Sequence, residues 1–80
     1  MDAALRERGF RRGNLAGVSL SGARLQGGLL KDEDLQGASL SGADLSGAFL
    51  AGANLHRADL AGARLTQADL RGATLTRTSL

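Results

Sequence analysis

The chain has 80 residues with no cysteine, proline, tryptophan or tyrosine, only two phenylalanines, and ten basic against eight acidic side chains for a net charge of +2. So short a chain makes one domain, and its core is marginal unless it repeats; without cysteine it has neither a disulfide framework nor thiolate chemistry. Its apolar runs are far too short for a membrane span and its first residues lack a secretory apolar stretch, so a cytoplasmic protein is expected.

The charge divides the chain in two. Residues 1–12 carry Arg6, Arg8, Arg11 and Arg12 against Asp2 and Glu7, which accounts for the whole net charge, and residues 13–80 carry six side chains of each sign. A neutral body gives neither a strongly basic nucleic-acid footprint nor a strongly acidic surface. Residues 1–12 are expected to form an N-terminal cap of helical or irregular structure. Leu5 and Phe10 stand in register with the later leucines, Phe10 plugging an open end, while Arg8 stands where a small inward residue belongs.

From residue 13 one period governs the chain, with leucine at every fifth position from Leu15 to Leu80. Alanine commonly stands two before the leucine, as at Ala43, Ala48 and Ala53, and glycine commonly two after it, as at Gly42, Gly47 and Gly52. Five fits neither the 3.6-residue period of a helix nor the two-residue period of an uninterrupted strand. Alanine and leucine two apart point to one side of a short extended segment. The next pair must turn the chain, and glycine suits that corner because it enters left-handed backbone space at little steric cost. The inward sets then close on a shared axis as a solenoid, each unit burying its apolar side on its neighbours.

The units ADLSG, ANLHR, ADLAG and ADLRG resemble the A(D/N)LXX consensus of the pentapeptide-repeat family. The resemblance implies that residues 13–80 form a right-handed quadrilateral parallel β-helix, an all-β solenoid with four pentapeptides per coil, leucine and alanine inside, and about four coils. At ~4.8 Å per coil the stack is roughly 20 Å tall. Residues twenty apart become vertical neighbours. Arg24, Asp44 and Arg64 then share one outward ladder, Leu29, Phe49 and Asp69 the next, Asp34, Asn54 and Thr74 the third, and Ser39, Asp59 and Ser79 the fourth.

Two stretches depart from the consensus. In residues 27–35, Gly28 and Glu33 replace the inward alanine. A buried carboxylate without partners is expensive, so Glu33 must be displaced outward or find partners, and a locally bulged face is expected. The alternative is an acidic surface feature, Asp32–Glu33–Asp34, facing a basic partner. The sequence then closes on Leu80, an inward position, and an uncapped coil leaves leucines and strand edges to pair with another chain. Leu75 and Leu80 are therefore the expected self-association end, either for a homodimer stacked end to end or for the rest of a longer repeat protein.

Chemistry-bearing constellations are absent from the pattern. His56 has no second histidine or cysteine for a metal site, the serines have no positioned base, and the glycines make no nucleotide-binding fingerprint. No enzyme, cofactor or small-molecule substrate is expected. The expected function is a non-catalytic binding and scaffold module, with Leu29 and Phe49 outward on one face and Arg11, Lys31 and Arg71 along the adjacent corner as a protein-binding spot. His56, Arg57 and Arg77 gather at another corner and read as solvated surface. The resemblance adds an alternative, a DNA-mimic protein that binds and protects a type II topoisomerase, although a charge-neutral body departs from the acidic surface such mimicry needs. Nucleic-acid or anionic-surface binding through Arg6, Arg8, Arg11 and Arg12, and an inactive fragment of a larger repeat protein, are the remaining alternatives.

Overall fold

The computed structural model describes residues 13–80. The expected cap, with Leu5, Phe10 and Arg6, Arg8, Arg11 and Arg12, lies outside the described residues.

The five-residue unit folds as three extended residues and a two-residue corner. At every corner the amide three residues after a leucine donates to that leucine's carbonyl, from Val18 to Leu15 through Thr78 to Leu75, at 2.9–3.3 Å. The residue two after each leucine has positive φ, between 56° and 72°, and the residue before it does not, which makes each corner a type II turn. Glycine supplies that φ at nine corners, and Asp32, Arg57, Gln67 and Arg77 supply it at the other four. A side chain there costs energy that glycine avoids, so the corner geometry is set by the stack and not by glycine alone.

Successive circuits pair in parallel at a spacing of twenty residues. The bridges Arg24–Asp44, Leu29–Phe49, Asp34–Asn54 and Ser39–Asp59 continue upward as Asp44–Arg64, Phe49–Asp69, Asn54–Thr74 and Asp59–Ser79. All four expected ladders are therefore present in the expected register. Each bridge is isolated, because the corners interrupt pairing before a second bridge can form on the same face. Inter-coil N–H···O bonds run at 2.7–3.0 Å, for example Leu45 to Arg64 and Arg64 back to Ala43. The corner adds one more, such as Gly47 to Thr66.

The core is the axis of this stack. Leu15 through Leu60 are buried without exception along the five-residue register, together with Ala23, Ala38, Ala43, Ala48, Ala53 and Ala58. Removing one leucine side chain from water is worth about 1.5–3 kcal/mol. Leu65 and Leu70 pack against the cluster half-buried, Leu75 is 41% exposed and Leu80 77% exposed.

The bulge expected at residues 27–35 does not form. Glu33 keeps the inward position at 2% exposure, the turn from Glu33 to Leu30 closes at 3.1 Å, and the bonds from Leu30 to Phe49 and from Asn54 to Glu33 hold the register on both sides. The physical reason lies one coil below. Gly13 occupies the same inward column without a side chain, and its N–H donates to Glu33 Oε2 at 2.5 Å. Glu33 therefore fills inward space and is satisfied there, so the acidic surface feature reduces to Asp32 and Asp34.

Candidate functional site: the outward faces

With the interior filled by leucine and alanine, the residues free to act are those between alanine and leucine and those at the corners. Their first task is structural. In the units of the middle coils four of the five backbone N–H groups have backbone acceptors, and the fifth, on the residue just after leucine, has none among the described residues. An aspartate or asparagine just before the leucine supplies the missing acceptor. Asp34 Oδ1 accepts from Gln36 N–H, Asp44 Oδ1 from Ser46, Asn54 Oδ1 from His56, Asp59 Oδ1 from Ala61 and Asp69 Oδ1 from Arg71, at 3.0–3.2 Å. The recurring D/N of the sequence is thus an Asx cap on the corner.

Two of these carboxylates are further stabilised as anions. The Ser46 hydroxyl, the Ser46 amide and Gln26 all donate to Asp44, and the hydrogen bond from the Ser46 hydroxyl is the main cause that lowers its pKa. Arg71 grips Asp69 with Nε to Oδ1 at 2.9 Å and Nη2 to Oδ2 at 2.8 Å, and that side-chain bond leads the causes holding Asp69 down to about 2.

On the next face Asp69 caps its own corner, but Leu29 and Phe49 below it in the ladder offer no such cap. The two side chains stand one above the other on bridged positions, 48% and 50% exposed. The corner amides of Lys31 and Ala51 beside them have no bonded partner among the described residues. Lys31 and Arg71 share the adjacent corner column with Ala51 between them. Arg71, expected as a free rim cation, is committed to Asp69 instead, which leaves Lys31 as the unpaired cation of this rim among the described residues. Arg11 lies outside the described residues. The Asp32 carboxylate leans over the next corner of the same column, so that a Cβ built at Gly52 would overlap it.

The Asp34–Asn54–Thr74 face presents a polar surface. Its corner carries Gln36, His56 and Thr76 in one column and Arg57 and Arg77 in the next. Among the described residues no three His, Cys, Asp or Glu side chains converge on a metal-sized site, and no helix is long and apolar enough to cross a membrane.

Comparison with known proteins agrees with this architecture. The family model "Pentapeptide repeats" matches residues 34–72 as 8 copies. No curated protein matches the chain. Among solved structures, alr5209, a pentapeptide repeat protein from Nostoc PCC 7120, superposes with a TM-score of 0.82 at 40% sequence identity, over 95% of this chain and 72% of that one. The twenty-residue register, the inward leucines and this likeness together make the fold a β-helix, and the chain belongs to the pentapeptide-repeat family.

Proposed function

We propose that this repeat protein is a non-catalytic binding and scaffold module, a right-handed four-sided rod of about four coils that offers one outer face to a protein partner. The observation that carries this reading is the Leu29–Phe49 pair, half-exposed on adjacent coils of a scaffold that otherwise turns its large apolar side chains inward. An aromatic beside an aliphatic residue, on rigid backbone and rimmed by polar groups, loses little conformational entropy on binding. Lys31 and the corner amides of Lys31 and Ala51 give a partner polar anchors at the edge of the pair. Self-association through the coil edge that carries Leu75 and Leu80 is the second element of the proposal, supported by the exposure of those inward leucines.

The two elements separate in one experiment. Native mass by sedimentation equilibrium is compared for the wild type, Leu29→Ser/Phe49→Ser and Leu75→Ser/Leu80→Ser, alongside a quantitative pull-down from the source cell. The proposal expects the first variant to keep the wild-type mass and lose a stoichiometric partner, and the second to lose the dimer. A wild type that stays monomeric at high concentration removes end-to-end stacking, and a partner retained in full by Leu29→Ser/Phe49→Ser removes the docking face.

A further inference from the structure

Beyond that reading, a different corner brings two arginines, without ion pairs among the described residues, onto adjacent coils. Arg57 and Arg77 lie twenty residues apart in one corner column, with the Arg57 N–H bonded to the Thr76 carbonyl at 3.0 Å, so their side chains leave adjacent coils at the same corner. Both have left-handed backbone, at φ 61° and 56°, in a column whose lower positions are Gly17 and Gly37 at φ 71° and 68°. Glycine takes that conformation freely, and arginine takes it only against a steric cost. Strain held at two stacked positions, both cationic, is an observation that calls for a role.

Among the described residues no carboxylate neutralises them, and neither arginine has an ion pair. The outward residues of their own face at those levels are the uncharged Asn54 and Thr74. The nearest ladder acids are already engaged, Asp34 by the Gln36 amide and side chain and Asp59 by the Ala61 amide. The balance of six positive and six negative side chains in residues 13–80 therefore hides a polarity: this corner carries two of the cations and none of the acids, and the rest of the body is left acidic. The upper arginine is also anchored, because the Thr78 hydroxyl donates to the Leu55 carbonyl at 2.6 Å and ties the Arg77 corner to the coil below. His56 and Thr76 occupy the neighbouring corner column.

We propose that the Arg57–Arg77 corner binds a tetrahedral oxyanion of the phosphate class, clamped between two guanidinium forks held one coil apart. A fork presents paired N–H groups that match two oxygens of such an anion. The corner fixes where the two side chains leave the backbone, one coil apart.

The test is a titration of the intact chain with inorganic phosphate, followed by amide and arginine side-chain NMR shifts at constant ionic strength held with sodium chloride. Wild type is expected to saturate in the millimolar range, with shifts confined to residues 54–58 and 74–78. Arg57→Gly/Arg77→Gly removes both forks and also relieves the left-handed strain, so it is expected to melt no lower than wild type while its apparent affinity falls about tenfold or more. That pairing keeps lost binding distinct from lost folding. A second arm with O-phosphoserine separates the sources of the group: tighter binding than inorganic phosphate assigns the site to phosphorylated molecules, and weaker binding assigns it to the free ion. Shifts that fail to saturate with either probe, or that persist in the glycine variant, overturn the proposal.

Discussion

Glu33 and Ala53 occupy the same inward column one coil apart, and both are buried, yet they fill the coil in opposite ways. Ala53 gives one methyl group, between Glu33 below it and Ala73 above it in the column. Glu33 reaches downward into the room that Gly13 leaves and meets an amide there. The difference teaches that the interior is selected by column and not by position. A long polar side chain enters only where the residue twenty positions earlier has given up its own side chain and offers a donor.

Moving the carboxylate should break that rule most severely. Ala43→Glu places an acid in a column whose neighbours are Ala23 and Ala63, with no glycine below and no free amide, since the Ala23 amide is bonded to Leu20. A buried charge without its partner costs about 3–5 kcal/mol, a large share of the ~5–15 kcal/mol that holds a domain together. Loss of the cooperative thermal transition is the expected result. The reverse change, Glu33→Ala, removes the acceptor of the Gly13 amide and is expected to cost about 1–3 kcal/mol by urea unfolding. Glu33→Gln keeps the length and an acceptor oxygen, and should lose less.

The corners allow a finer comparison. Gly47 has open space where a Cβ would go and Gly52 faces the Asp32 carboxylate, at nearly equal φ of 67° and 72°. Gly47→Ala should therefore show the left-handed penalty alone, about 1–2 kcal/mol. Gly52→Ala should lose more, and Asp32→Ala in the same chain should return it to the Gly47→Ala value. Smaller again is the Asx cap. Asn54→Ala frees the His56 amide and should cost about 0.5–1.5 kcal/mol, and Thr74→Ala, where no such cap exists among the described residues, should cost less.

The smallest effect is electrostatic. Asp69 is lowered from the ordinary 3.8 to about 2 in the folded chain, chiefly by the Arg71 side-chain bond. A depressed folded-state pKa contributes stability that is present above pH 3.8 and lost as pH falls through about 2. Arg71 is largely exposed and the pair lies at the surface, so the contribution is small. Asp69→Asn should flatten the acid limb of the stability curve in that window and leave neutral pH nearly unchanged.

Much of this architecture is legible in the sequence because the stack reads each position through its period. Leucine at every fifth residue determines the axis, and the four-unit coil that the family resemblance implies places Leu29 under Phe49. Glu33 is misread for a physical reason: its partner Gly13 is remote along the chain, and a substitution pattern within one unit cannot show that the coil beneath has made room. The Asx caps are visible as recurring D/N, but their purpose emerges only when the backbone amides are traced and one per unit is found without an acceptor. Arg71 reads as a cation rimming the apolar pair, and in the structure Asp69, two residues earlier and around the corner, binds it. At Arg57 and Arg77 the sequence shows a missing glycine, while the left-handed backbone that makes its absence costly belongs to the fold.

The central claim is that a twenty-residue circuit, lined by the leucines, leaves function to the outside. The most direct measurement is the set of inter-residue NOEs between backbone amide and α protons in uniformly labelled protein. Cross-peaks are expected between residues twenty apart, as at Arg24–Asp44, Leu29–Phe49 and Asp44–Arg64, with the Leu45 methyl groups touching those of Leu25 below and Leu65 above. Cross-peaks at some other constant spacing, or solvent-exposed methyl groups on Leu45, would contradict it.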